Sequence, residues 1–264
     1  MSSDESTDAD ARWSRRGFLT AGTAVGLGAI GIGATAAQND AQSTSRSFTV
    51  RIENVSDGST LDTTDGTKPI PLSPGAYAVH TRDEPMFSSG HPERDNGLEE
   101  IAEDGMPGRL AESLQARDTV LESGAFTTPV GADGPAPIGP GDAYEFTVAA
   151  ESGRPTQYLS LVTMFIQSND LFYSLGGASG MALFTGDGNA PVAGDVTDRV
   201  GLWDAGTEVN EEPGVGGDQA PRQRGANVGL VERGTVAPIA DVNGYDYPAT
   251  EDVVRVRVTP NGSE

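Results

Sequence analysis

Cysteine is absent from this 264-residue chain. That excludes disulfides, thiolate metal sites and a cysteine nucleophile, so exposure outside the cell has to be survived without covalent staples. Lysine is nearly absent as well: Lys68 is the only one, and every other basic side chain is arginine. No basic patch exists to neutralise phosphates, which argues against nucleic acid as a partner. Histidine occurs only as His80 and His91, at a spacing that fits neither helical metal ligation nor a metalloprotease motif. There is no P-loop or dinucleotide fingerprint. "GGASGMA" around Ser179 is no nucleophile elbow, because Met181 stands where the last glycine is needed.

Acid is what the chain has in surplus. Thirty-nine Asp and Glu against 17 Lys and Arg give a formal charge of -22. A charge of this size suits a protein kept soluble in concentrated salt, where the Debye length falls to about 3 Å at 1 M. A haloarchaeal type of source is the expectation. The hydrophobic fraction of 36% and aromatic fraction of 6% are lean, while 35 glycines and 17 prolines signal many turns. That composition points to an all-β protein rather than to long helices.

The N-terminus reads "SRRGFLTAGTAVGLGAIGIGATAAQ". Arg15-Arg16 precedes a weakly apolar run rich in glycine and alanine, which ends in Ala34-Thr35-Ala36-Ala37. This is the order of a charged region, an apolar region and a small-residue cleavage site. The arginine pair resembles a twin-arginine signal, which implies export of a folded protein. Residues 1–37 are therefore expected to be a signal peptide and 38–46 a flexible linker. The apolar run is too glycine-rich to favour a stable membrane span after cleavage. Secretion or display at the cell surface follows.

Residues 47–259 read as one domain. "SFTVRIEN" alternates Phe48, Val50 and Ile52 with polar residues, and "DVVRVRVTP" does so with Val254, Val256 and Val258. The two are expected to close one sheet together. "GAYAVHT", "AYEFTVAAE", "QYLSLVTMFIQS" and "GMALFTG" are further strands, the third central because it is the most apolar. "NGLEEIAEDGMPGRLAESLQARD" predicts two short helices, with Pro107 starting the second. The expected fold is an all-β antiparallel sandwich with a short helical insertion. Two sequons, at Asn54 and Asn261, permit glycosylation.

Acids gather in two stretches. "QSNDLFYS" is expected to end the central strand at Asn169-Asp170, and "LWDAGTEVNEEPG" holds Asp204, Glu208, Glu211 and Glu212. Gly206 lets the backbone curl so that Asp204 and Glu208 point to one centre. Asp170 with that pair would suit a hard cation such as calcium, which takes about 6–8 oxygens. Two other readings stay open: paired catalytic carboxylates of a secreted hydrolase, and an ordinary acidic loop serving salt tolerance. Glu211 and Glu212 are expected to be solvated charge, and Arg222 and Arg224 to pair with neighbouring acids.

Together, "LVTMFIQSNDLFYS" and "LWDAGTEVNEEPG" resemble the two acidic motifs of the spondin N-terminal domain family, in a prokaryotic secreted form. The resemblance spans roughly residues 47–259. It implies a C2-like sandwich with calcium held between loops at one end by Asp170, Asp204 and Glu208, and no catalytic residues. It also implies an adhesion-type role towards an extracellular protein or matrix component. Glu208 stands where animal members have aspartate, and Asn169 where they have proline.

Overall fold

The computed structural model describes residues 43–81, 84–186, 188–242 and 244–262. The expected signal peptide, and the expected linker up to residue 42, lie outside them. The described residues fall within one compact unit. In chain order they form β1 (Ser45–Asn54), β2 (Leu61–Thr63), β3 (Gly66–Lys68), β4 (Leu72–His80), α1 (Leu98–Asp104) and α2 (Gly108–Gln115). There follow β5 (Val120–Phe126), β6 (Ala143–Glu151), β7 (Tyr158–Phe165), β8 (Leu171–Leu175), β9 (Met181–Ala182) and β10 (Gly194–Asp195). Last come β11 (Val200–Asp204), β12 (Ala237–Pro238), α3 (Thr250–Val253) and β13 (Val254–Pro260).

The two terminal strands do close one sheet, pairing antiparallel from Phe48 opposite Pro260 to Asn54 opposite Val254. That sheet has the order β10-β13-β1-β6, and a second has the order β12-β11-β8-β7-β4-β5 with β9 also on β7. Their inner faces share one apolar core, with Phe48, Val50, Ile52, Tyr144 and Val256 from the first sheet against Leu159, Leu161, Phe165 and Tyr173 from the second. The protein is an all-β antiparallel sandwich. The larger sheet is covered on its other face too: Leu98, Ile101, Leu110 and Leu114 of the two helices pack on Ala76, Ala78, Val162 and Phe172. Double coverage explains why β7 is nearly continuous in apolar residues, whereas β1 alternates. Pro107 immediately precedes α2, as its fixed φ favours.

Several expectations need correction. β1 begins at Ser45, so Ser45 and Arg46, assigned to the linker, pair with Glu151 and Ala150. The central strand stops at Phe165 instead of running to Asp170. Ser168 explains the stop: its hydroxyl donates to the Phe165 carbonyl at 2.5 Å and accepts from the Leu171 amide at 3.1 Å. This side-chain clamp reverses the chain into β8. "GMALFTG" keeps only Met181–Ala182 as strand, because the chain turns back where the Thr185 amide meets the Ala190 carbonyl at 2.8 Å. Asn54 is fully buried, with its amide donating to the Ile70 and Ile138 carbonyls at 2.8 and 3.0 Å. Folding thus removes that sequon from any glycosylating enzyme.

Candidate cation site

Register brings the two acidic motifs together. β8 and β11 are antiparallel neighbours, with Asp204 opposite Leu171. Asp170, one residue before β8, and Asp204, the last of β11, therefore lie at the same end of the sheet. The Ala205 amide donates to the Asp170 carbonyl at 3.1 Å. Beyond it Gly206 adopts φ +70°, and a Cβ there would come within 2.7 Å of the Thr235 amide nitrogen. Only glycine meets both demands.

The Asp170 side chain organises the turn that follows. Its Oδ2 accepts from the Thr207 amide at 2.8 Å, the Glu208 amide at 3.0 Å and the Thr207 hydroxyl at 3.2 Å. Asp204 Oδ1 accepts from the Gly206 amide at 2.7 Å, and its Oδ2 from the Asn210 side chain. The Asn169 amide group donates to Glu211 Oε2 at 3.2 Å, and its oxygen accepts from the Glu211 amide at 3.0 Å. A strap antiparallel to this loop closes it from outside, with Glu232 N on Thr207 O at 2.7 Å and Val209 N on Leu230 O at 2.8 Å. Gly229 of that strap lies so close that a Cβ would stand 2.2 Å from the Glu208 carboxylate.

Asp170, Asp204, Glu208 and Glu103 of α1 are 0%, 1%, 3% and 2% exposed. None of the four makes an ion pair among the described residues. Asp170 Oδ1 and Glu208 Oε2 are buried with no hydrogen-bond partner at all. Burial raises the pKa of each carboxyl: Glu208 reaches about 7 and Glu103 about 8. Desolvation also leads the upward shift of Asp170, with the charge of Asp204 next, and leads that of Asp204 itself.

Asp170 and Asp204 thus form a close pair. Glu208 shares a turn with them, but the charges acting on its carboxylate are those of Asp218, Asp104 and Glu211. As the side chains stand, no three Asp, Glu or His groups among the described residues converge as ligands on one point. The donor set, hard carboxylate oxygens with two of them unsatisfied, nevertheless fits a hard cation.

Other side chains were misjudged from sequence. Glu211 and Glu212 are half-buried pins rather than solvated charges. Glu211 accepts from the Gly217 and Asp218 amides at 3.2 and 2.9 Å, and Glu212 from the Thr64 amide and hydroxyl at 2.6 and 2.8 Å. Arg222 donates to the Gly216 carbonyl at 2.7 Å and to the amide oxygens of Gln167 and Gln219, not to an acid. Glu103 was missed, because in "GLEEIAED" nothing distinguishes it from Glu99 and Glu100. No family model matches the chain, and no curated protein matches it either.

Proposed function

We propose that the protein is an exported, non-enzymatic calcium-binding β-sandwich of the spondin N-terminal kind. It acts at the cell surface on an extracellular protein or matrix component. The observation that carries the calcium reading is the pair of orphaned oxygens, Asp170 Oδ1 and Glu208 Oε2, among buried acids without an ion-pair partner. A buried carboxylate left without a counter-charge costs several kcal/mol, roughly, or else takes up a proton. A divalent ion held by Asp170, Asp204 and Glu208 removes that cost. Its role is to stiffen the loops at this end of the sandwich. The adhesion role rests on the family resemblance, and export on the Arg15-Arg16 signal.

Burial of the acids favours an ion over the paired-carboxylate hydrolase, which must present its carboxyls to substrate. Cavities of about 280–490 Å³ among the described residues open elsewhere, lined by side chains other than Asp170, Asp204 and Glu208. The test is calcium titration after chelator treatment, in high KCl, with thermal melting read in parallel for wild type and Asp204→Asn. Saturable binding that raises the melting temperature, and is lost in the variant, is expected. A folded wild type that binds no calcium refutes the proposal.

A further inference from the structure

We infer that the outer edge of the strap, from Val228 to Arg233, takes up an extended segment of another protein as an added β-strand. The segment it fits is a short apolar run flanked by basic side chains. This rests on the reading of the protein as an interaction module, and names its surface and the chemistry of its partner.

The backbone comes first. Val231 stands opposite Glu208. The bonds on either side, Val209 N to Leu230 O at 2.8 Å and Glu232 N to Thr207 O at 2.7 Å, make the two a non-hydrogen-bonded pair. Their own amides and carbonyls therefore point away from each other. The Glu208 amide is taken up by Asp170 Oδ2 at 3.0 Å. The Val231 amide and carbonyl face outward, and neither meets a hydrogen-bond partner among the described residues. An open edge of this kind is a template for one more strand. It is also held in place, by Gly234 N on Gly206 O at 2.9 Å, Val236 N on His91 O at 2.9 Å, and the Asn227 amide group on Glu99 Oε1 at 3.3 Å. Docking therefore costs little ordering of the strap itself.

Side chains come second. Leu230 and Val231 are 69% and 67% exposed, the two most exposed large apolar side chains among the described residues. Val209, across the ladder from Leu230, and Val228 are exposed as well. Apolar side chains gathered in water on one ribbon mark a contact surface. Successive residues point to opposite faces of a strand, so an added strand gains apolar contact with Leu230 on one face and Val231 on the other.

Charge selects the partner. Glu232 follows the apolar pair, Glu99 holds the Asn227 end, and Glu211 lies two residues beyond Val209, against Arg224 and Arg233 on the strap. The chain as a whole carries -22. In concentrated salt a Debye length of about 3 Å leaves only charges in contact to act, so the basic side chains of the partner belong directly beside its apolar run. A second copy of the chain fits poorly. It sets -22 against -22, and two straps paired antiparallel about Val231 would lay each Glu232 against Leu230 of the other copy.

The test uses the capped synthetic peptide Arg-Arg-Val-Leu-Val-Arg-Arg, titrated calorimetrically into the full chain in high KCl, once with chelator and once with calcium. Saturable binding is expected in wild type. Affinity at least tenfold weaker is expected in the double variant Leu230→Ser, Val231→Ser. The same loss is expected for the peptide methylated on its three central backbone amides, which keeps the charge but cannot form a ladder, and for Glu-Glu-Val-Leu-Val-Glu-Glu. Both substituted side chains are exposed, so the variant should fold; if it does not, Leu230→Ser alone is read in its place. No binding in wild type, or undiminished affinity in the variant or for either control peptide, overturns the inference. So does dimerisation of the chain that the same substitutions abolish, which would make a second copy the occupant. Peptide binding in a chain that takes up no calcium leaves the inference standing and removes the calcium reading, and calcium uptake without peptide binding does the reverse.

Discussion

Acids on the outer face of the smaller sheet and acids at the β8–β11 end meet opposite circumstances. On the sheet, Glu145 faces Arg51 at 3.4 Å, Glu53 faces Arg255 at 3.9 Å, and Asp195 lies 3.7 and 3.9 Å from Arg255 and Arg257. All are partly open to water. At the loop end, Asp170, Asp204, Glu208 and Glu103 are buried with no arginine in reach of an ion pair among the described residues. These two groups of acids therefore differ in kind. One is matched and hydrated, and replaceable at small cost. The other is buried without a partner charge and depends on protons or an external cation for neutrality.

The largest effect is expected from removing the centre of the buried group. Asp170→Ala leaves the Thr207 and Glu208 amides and the Thr207 hydroxyl without their acceptor. The expected loss is about 3–5 kcal/mol, or roughly 6–20 °C at about 2–4 °C per kcal/mol for a domain of this size. Asp170→Asn keeps a carbonyl oxygen for those donors. It is expected to melt within a few degrees of metal-free wild type while losing calcium response. Thermal unfolding with chelator present checks both. An Asp170→Ala that melts like wild type would show that the loop does not depend on this side chain.

A pH series separates the two populations by sign. Burial raises the folded-state pKa of Asp170, Asp204, Glu208 and the helical Glu103, to about 7 for Glu208 and about 8 for Glu103. A raised pKa means that the native state holds protons the unfolded chain has released. The stability this confers is complete below the ordinary carboxylate range near 4 and is lost as pH climbs through 7–8. Metal-free protein is expected to melt progressively lower from pH 5 to pH 8 (roughly, by the same linkage), and saturating calcium to flatten that fall. Asp195 behaves in the opposite sense. Thr197 hydrogen bonds, and then Arg257 and Arg255, lower its pKa, so its contribution is lost only as pH falls below the ordinary range. A metal-free melting temperature that rises between pH 5 and 8 would contradict the burial of unpaired acids.

The sandwich was legible because β1 and β13 each bury one face only, so Phe48, Val50, Ile52 and their partners appear as alternation. The helical insertion was legible through Leu98, Ile101, Leu110 and Leu114 at helical spacing. The break between β7 and β8 was not. Burial on both faces removes any alternation from the two strands, and the polar turn between them, Gln167 to Asp170, is itself buried and closed by the Ser168 hydroxyl. Of the candidate site, the meeting of Asp170 with Asp204 could be expected from the two motifs, since the expectation needed only neighbouring loops. The burial of Glu103 could not, because it comes from the packing of α1 on the larger sheet and leaves no periodic trace. Glu211 fell outside the reading for a similar reason: its partners are backbone amides, which no side-chain pattern announces.

The smallest effect is expected on the matched face, where it is also the most informative about salt. Arg255 bridges Glu53 and Asp195 at 3.9 and 3.7 Å with 42% of its side chain exposed. Exposed pairs of this kind are worth about 0–1 kcal/mol each, so Arg255→Ala, which breaks two, should lower the melting temperature by no more than about 8 °C. Near 1 M salt the Debye length of about 3 Å screens the pair, and the difference from wild type should shrink further. Buried acids are shielded from mobile ions, and the Asp170→Ala deficit should persist in the same buffers. Chelator-treated melts of both variants across a KCl series therefore bear directly on the division. If the Arg255→Ala deficit stayed constant with salt while that of Asp170→Ala disappeared, the two populations of acid would be misassigned, and the case for a bound cation would lose its physical basis.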